Sequence, residues 1–320
     1  MKIFTIGCGR WGSFIAWYLD SVGHDVTLYG KSCAPDIQRF IRERTNGTVT
    51  MPESVTFSTE LSDINSADAV VISIGSQGLS SLMQEIDAYR PEGKIFILCM
   101  KGIEISTGKR LSEIAAEHLS PTNSVAVWLG PGHPQEFVAG RPNCMVIDSA
   151  DDGVKHKLVD EFSSPLIRFY YGTDLIGNEI GAAAKNVIGI AAGALDGLGV
   201  PSLKGALMAR APREISRLIA AMGGNPVSAY GLCHLGDYEA TVFSRFSHNR
   251  AFGEGLVTGE KFEQLAEGYY TAAAIVRLGE KYGVELPICR AVYNCCYCGA
   301  DVREEMHALF NRTLKYEFDT

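Results

Sequence analysis

Lys2-Ile3-Phe4-Thr5-Ile6-Gly7-Cys8-Gly9-Arg10-Trp11-Gly12 opens the chain, and Phe14, Ile15, Trp17, Tyr18 and Leu19 follow. Residues 2–6 read as a short buried strand, and the apolar residues after Gly12 recur at helical spacing. The pattern is strand, glycine turn, helix. In a dinucleotide-binding unit Gly7 permits the tight turn, Gly9 leaves no side chain between backbone and pyrophosphate, and Gly12 lets the helix pack close to the strand. Free amide groups at the helix start then face the phosphate charge. Glycine turns also occur for purely structural reasons. Here the flanking strand and helix, with a second apolar strand at 26–29, favour a nucleotide site.

The end of that second strand bears on the cofactor. A carboxylate about 20 residues beyond the fingerprint binds the ribose hydroxyl of NAD, whereas a cation there accommodates the extra phosphate of NADP. This chain offers Gly30-Lys31-Ser32, with no Asp or Glu until Asp36. The expectation is NADP(H) as the preferred cofactor, with NAD(H) possible. Lys31 as a merely solvated loop charge is the alternative.

Outward from this unit, strands keep alternating with helices. Near-continuous apolar runs at 69–74 and 95–99 fit strands covered on both faces. Leu79, Leu82, Met83, Ile86 and Tyr89 mark a helix between them, and Leu111, Ile114 and Ala115 mark the next. Strands at 125–129, 143–147 and 167–171 follow, with a helix through Val154, Leu158 and Phe162 before the last. The expectation is an α/β, doubly wound parallel sheet of the Rossmann type. Beyond about 173 the strand signal disappears. Ile215, Leu218, Ile219 and Met222 mark one helix, Ile275, Leu278 and Tyr282 another, and Val302, Met306, Leu309 and Phe310 a third. The chain is therefore read as a dinucleotide-binding domain, 1–174, and an all-helical substrate and catalytic domain, 175–320. Ligands bind beyond the carboxyl ends of such strands, so the site is expected in the cleft between the two.

Composition narrows the function classes. With 320 residues, 46% hydrophobic and 21% charged, the chain can bury two ordinary globular cores. A net charge of -8 argues against a general nucleic-acid or anionic-membrane surface, so an anion site must be local. The first apolar run is too short for a signal peptide, and the best candidate span, 176–200, is interrupted by Glu179, Lys185 and Asp196. A cytoplasmic enzyme with reduced thiols is expected of the nine cysteines. Cys295, Cys296 and Cys298 crowd together, but no second Cys or His pair sits at matching spacing, so no metal is assigned.

Chemistry is carried by three clusters. Gly181-Ala182-Ala183-Ala184-Lys185-Asn186-Val187-Ile188-Gly189 sets a cation and an amide among small side chains. A lysine there is partly desolvated, which lowers its pKa and suits it to trade a proton near neutrality. A lysine snorkelling its stem along a helix is the bland alternative. Gly236-Asp237 precedes Thr241 by a spacing that can put Asp237 and Thr241 on one helix face. Ser247-His248-Asn249-Arg250 adds polar groups and a cation at what reads as an element end.

Together with the fingerprint, Lys101-Gly102, Gly130-Pro131, the run from Ile176-Gly177 through Lys185-Asn186-Val187 to Asp196-Gly197, and Glu267-Gly268 with Thr271 to Pro287, these clusters carry a resemblance. Over nearly its whole length the chain resembles NAD(P)-dependent glycerol-3-phosphate dehydrogenases of the soluble bacterial type. The resemblance implies reversible hydride transfer that interconverts dihydroxyacetone phosphate and sn-glycerol 3-phosphate, a precursor of glycerophospholipids; a homodimer is expected only in that a helical second domain can support one. It implies Lys185 as catalytic acid/base, Lys101 as a second lysine lining the site, and Asn186, Asp237 and Thr241 as groups orienting substrate and lysine. Gly130, Gly132, Ser247, His248, Asn249 and Arg250 fall at substrate positions. Gln264, Leu265 and Glu267 match the segment closing over the cofactor, with Arg10, Trp11, Lys31, Lys101, Pro134 and His248 at its other contacts.

Two positions depart from the family. An Arg that contacts substrate phosphate and cofactor is usual where this chain has His248, and a Ser or Thr is usual at Gly132. Imidazole is shorter and mostly neutral at pH 7. Arg250 and Lys204 are candidates to compensate. The same departures keep two other readings open, a dehydrogenase of another small hydroxy compound and a catalytically silent nicotinamide-binding sensor.

Overall fold

A computed structural model of the chain describes residues 1–314, 316 and 317. Strand β1 (Lys2–Ile6) runs through Gly7 into α1 (Arg10–Ser21), which returns the chain to β2 (Asp25–Tyr29). The two strands are parallel, Lys2 opposite Asp25 and Ile6 opposite Tyr29. Then come α2 (Pro35–Glu43), β3 (Thr56–Ser58), β4 (Ala69–Ile72), α3 (Leu79–Asp87), β5 (Ile95–Leu98) and α4 (Leu111–His118). The unit closes with β6 (Ser124–Leu129), α5 (Pro134–Val138), β7 (Asn143–Ser149), α6 (Asp152–Phe162) and β8 (Ile167–Tyr171).

All eight strands form one sheet in the order β3-β2-β1-β4-β5-β6-β7-β8. Strand order reverses between β1 and β4, so a crevice opens there beyond the carboxyl ends of both strands. β4 and β5 are buried at every position because helices cover both faces, which is why their sequences read as unbroken apolar runs. One face packs Phe14, Tyr18, Trp128 and Phe162, and the other Met83, Ile86, Leu111 and Ile114.

The expectation of a wholly parallel sheet needs correction. β7 lies antiparallel to β6, Ala126 opposite Ser149 and Leu129 opposite Val146, and β8 then runs parallel to β7. The five residues of α5 span about 7.5 Å. The chain passes through α5 beyond the end of β6 and returns antiparallel to it. α6, with 11 residues, is long enough to make the next crossover. β3 has no counterpart in the sequence reading; it holds only Thr56, Phe57 and Ser58.

From Leu175 onward the regular structure is helical: α7 (Leu175–Gly197), α8 (Lys204–Ala221), α9 (His248–Thr258), α10 (Glu267–Tyr282), α11 (Pro287–Tyr297) and α12 (Val302–Phe310). α7 forms the centre, and α9 lies hard against it. Glycines recur every four residues at 189, 193 and 197, and a Cβ on Gly193 would collide with the Arg250 carbonyl, as one on Gly253 would with that of Ile190. This seam brings the start of α9 beside Lys185 and Asn186. Among the described residues no helix is long and apolar enough to cross a membrane.

Polar contacts clamp the helices onto the sheet. Glu179 of α7 accepts from Arg110 Nη1 at 2.6 Å, Ser112 N at 2.9 Å and Ser112 Oγ at 2.6 Å. Glu267, at the start of α10, accepts from Ser76 N at 3.1 Å and Ser76 Oγ at 2.5 Å, just past the end of β4.

Candidate active site

At the β1–α1 turn, Gly7 has φ +113°, and a Cβ there would overlap the Ser73 carbonyl. A Cβ on Gly12 would overlap the Gly7 carbonyl, whereas one on Gly9 would meet nothing within 4 Å. Two glycines are thus demanded by packing and the third leaves open space. α1 starts without a side-chain cap on its first-turn amides. The tight turn at Gly7, the open space at Gly9 and the close packing at Gly12 are as expected from the sequence.

Opposite the β1–α1 turn, Asp237 ends a 3₁₀ turn and Thr241 sits in a single π-helical turn, Glu239–Phe243, rather than on the α-helix face expected. The spacing still joins them: Thr241 Oγ1 donates to the Asp237 carbonyl at 2.8 Å. Its lone pairs are left for Lys185, whose Nζ donates to Thr241 Oγ1 at 2.8 Å and approaches Asp237 Oδ2 at 3.1 Å. Lys101 Nζ reaches the same Oδ2 at 2.6 Å and the Gly130 carbonyl at 2.6 Å. Burial pushes Lys185 down to about 8; the Asp237 carboxylate opposes that fall and the Lys101 charge adds to it. Asp237 Oδ1 is buried without a partner, so one oxygen carries both cations.

Asn186 donates to the Lys101 carbonyl at 3.0 Å and accepts from Asn249 Nδ2 at 3.0 Å, while Asn249 Oδ1 accepts from Gly268 N at 2.8 Å. This chain of bonds ties α7, α9 and α10 to the end of β5. In front of it lies a cavity of about 170 Å³, below the 300–1,000 Å³ usual for drug-sized ligands and suited to a small molecule. Lys185, Asn186, Thr241 and Asn249 line one side. Arg10, Trp11, Gly132 and Pro134 line the other, and Ser247 and His248 complete it. A mostly apolar cavity of about 500 Å³ between α7, α8, α11 and α12 holds none of the predicted site residues.

Known proteins fit this geometry. Residues 2–155 match the family model for the NAD-dependent glycerol-3-phosphate dehydrogenase N-terminus, and residues 174–307 match that for its C-terminus. The chain belongs to the NAD-dependent glycerol-3-phosphate dehydrogenase family. It is 34% identical to the NAD(P)+ glycerol-3-phosphate dehydrogenase of Pelodictyon phaeoclathratiforme over 100% of both chains. It is 36% identical to that of Corynebacterium diphtheriae, over 99% of this chain and 100% of the other. The glycerol-3-phosphate dehydrogenase structure from Coxiella burnetii superposes with a TM-score of 0.92 at 24% identity, covering 97% of this chain and 99% of that one, which shows the same fold.

The surroundings of Gly132 and His248, the two positions at which a departure is expected, constrain both residues. Gly132 has φ +130°, and a Cβ there would run into the ring of Phe137, which is fully buried and stacked on Phe14 at 5.0 Å. Phe137 occupies the space a serine side chain would need. His248 Nδ1 lies 3.1 Å from the Leu265 carbonyl, which can only accept, so Nδ1 carries the hydrogen. Burial and then the nearby Arg10 charge hold this imidazole below its ordinary pKa, so it is neutral at pH 7.

Arg250 and Lys204 do not compensate. Arg250 Nε and Lys204 Nζ both bind Asp196 Oδ2, at 2.7 and 2.6 Å, and neither lines the cavity. Helical phase explains this: Arg250 falls on the side of α9 facing the last turn of α7. Ser247 is the N-cap of α9 and accepts from Arg250 N at 3.3 Å. On the cofactor side, Gln264 and Leu265 are exposed ahead of Glu267. Lys31, also exposed, pairs with Glu85 at 2.7 Å.

His133 escaped the sequence reading. It lines the cavity, and its Nε2–H donates to the Ala240 carbonyl at 2.8 Å. Its place directly after Gly130-Pro131-Gly132 was the available signal. All nine cysteines are free, and among the described residues no group of three His, Cys, Asp or Glu side chains is arranged to hold a metal.

Proposed function

We propose that this chain reduces dihydroxyacetone phosphate to sn-glycerol 3-phosphate, and catalyses the reverse, with Lys185 as acid/base. The carrying observation is the Lys185 ammonium, buried at the cavity wall, lowered to about 8 and bonded to Thr241 and Asp237. A bound nicotinamide supplies or accepts the hydride. Gly7, Gly9, Gly12 and the start of α1 would hold its pyrophosphate, with Gln264, Leu265 and Glu267 over it. In reduction Lys185 donates a proton to the carbonyl oxygen as the central carbon gains the electron pair, leaving the neutral amine. In oxidation that amine takes the hydroxyl proton. Asp237 and Thr241 fix the Nζ position throughout, and Lys101 polarises the same region.

Lys31 supports NADP(H) as the preferred cofactor with NAD(H) accepted, since no Asp or Glu follows β2 in sequence before Asp36. The same reading takes the chain as a cytoplasmic homodimer serving glycerophospholipid synthesis, divided into domains at 174/175. A second substrate, another small hydroxy compound, is favoured by one observation: His248 offers no N–H beyond the one on Leu265.

The test is reduced-nicotinamide consumption with dihydroxyacetone phosphate, NADPH against NADH, alongside unphosphorylated ketones. Rapid turnover confined to the phosphorylated ketone is expected. Turnover of an unphosphorylated ketone alone would transfer the assignment to the second reading.

A further inference from the structure

We infer that Arg10 grips the substrate phosphate, replacing from the sheet side of the cavity the arginine that the family usually carries at position 248. The inference rests on the reading of the site as one for a phosphorylated three-carbon ketone.

A phosphate dianion in a small cavity needs a cation and N–H donors. Lys185 and Lys101 are both bonded to Asp237, and Lys185 has the proton transfer to perform. Arg250 and Lys204 are both bonded to Asp196 and stand outside the cavity.

His248 is the residue at the family's usual position, and its tautomer is wrong for the task. Its one hydrogen is directed to the Leu265 carbonyl, which leaves Nε2 as an acceptor, and an acceptor repels a phosphate oxygen. Adding a second proton would turn Nε2 into a donor, but burial and the Arg10 charge both oppose it.

Arg10 remains. Its side chain lines the cavity together with His248 and Lys185, and it makes no hydrogen bond or ion pair among the described residues. A guanidinium presents a planar fork that matches phosphate geometry, which a lysine at the same place would not. The loss of a cation at 248 and the presence of one at 10 thus leave the cavity with a single arginine, delivered from the opposite wall.

The test uses the full-length protein with three variants, Arg10→Ser, Arg10→Lys and the double variant Arg10→Ser/His248→Arg. Three quantities are read: KM for dihydroxyacetone phosphate, kcat/KM for unphosphorylated dihydroxyacetone, and the Kd of glycerol 3-phosphate for the NADP+ complex by calorimetry. Fluorescence gives the Kd of NADPH and NADH for each variant. Arg10→Ser is expected to raise the KM and Kd of the phosphorylated ligands by roughly 30-fold or more. The kcat/KM for dihydroxyacetone should fall far less than that for dihydroxyacetone phosphate. Arg10→Lys, which keeps the charge but loses the fork, should lie between. The double variant should recover most of the loss.

An equal loss for phosphorylated and unphosphorylated ketone would overturn the assignment. So would weaker binding of both cofactors with unchanged glycerol 3-phosphate affinity, because Arg10 would then serve the pyrophosphate. Absence of any glycerol 3-phosphate binding by the unmodified protein overturns the parent reading as well, and that outcome is distinct from either of the others.

Discussion

Lys101 and Lys185 place their ammonium groups on one and the same oxygen of Asp237, at 2.6 and 3.1 Å, while the other carboxylate oxygen is buried with no partner. Two cations sharing one buried carboxylate are not equivalent. Lys101 has a carbonyl as its second acceptor, and Lys185 has only the Thr241 hydroxyl in addition. Burial loosens the Lys185 proton, down to about 8.

Direction of reaction and pH are therefore coupled. Reduction begins from the ammonium, so kcat for ketone reduction should be full below pH about 8 and fall as pH rises through it. Oxidation begins from the amine and should rise over the same range. Replacing Asp237 by Asn removes the group that holds the Lys185 pKa up, so both midpoints should move to lower pH, by about one unit or more. Profiles of kcat in both directions, for the unmodified protein and Asp237→Asn, check this. A flat pair of profiles would mean that another group moves the proton.

Lys185→Met keeps the stem and deletes the proton. Turnover should fall by roughly a hundredfold or more, the usual scale for a lost acid/base group. NADPH affinity should be retained, because the cofactor seat at Gly7, Gly9 and Gly12 lies on another element. Steady-state kinetics and a fluorescence titration on the same preparation separate the two quantities. Full turnover by this variant would end the role assigned to Lys185.

Gly132→Ser should not restore a substrate contact. The new Cβ would have to displace the Phe137 ring and hold φ near +130°, a conformation that L side chains rarely adopt. A loss of about 1–3 kcal/mol of stability is expected from the strain and overpacking. Urea denaturation measures it. An unchanged midpoint accompanied by a lower KM would show instead that Phe137 yields and that the hydroxyl finds the substrate.

What was legible in the sequence depended on whether local pattern or distant packing decided the outcome. β1, the glycine turn and α1 are fixed by adjacent residues, and β4 and β5 announce themselves by unbroken apolar runs. The reversal of β7 follows a connection through α5, whose five residues are too few to display a periodicity. In the site, Lys185, Asn186 and Asn249 came from motif order, and the structure brings them together. Arg250 did not join them because one step of helical phase turns it to Asp196. The bond from Lys185 to Thr241 and the tautomer of His248 depend on partners distant in sequence, 56 and 17 residues away.

Cofactor choice rests on Lys31, and Lys31 has a competitor. Its Nζ lies 2.7 Å from Glu85 Oε1, with both side chains exposed. A 2′-phosphate drawn to Lys31 must displace that carboxylate or accept its repulsion, so Glu85 should moderate the preference for NADP(H). Glu85→Gln is expected to tighten NADPH up to about fivefold, the scale of an exposed ion pair, and to leave NADH unchanged. Lys31→Glu should do the reverse, weakening NADPH more than NADH. Salt should shrink both effects, because the pair faces solvent. Kd values for the two cofactors, at low and high ionic strength, decide the matter. If the NADPH-to-NADH ratio is the same in all three proteins, discrimination lies with residues other than Lys31 and Glu85.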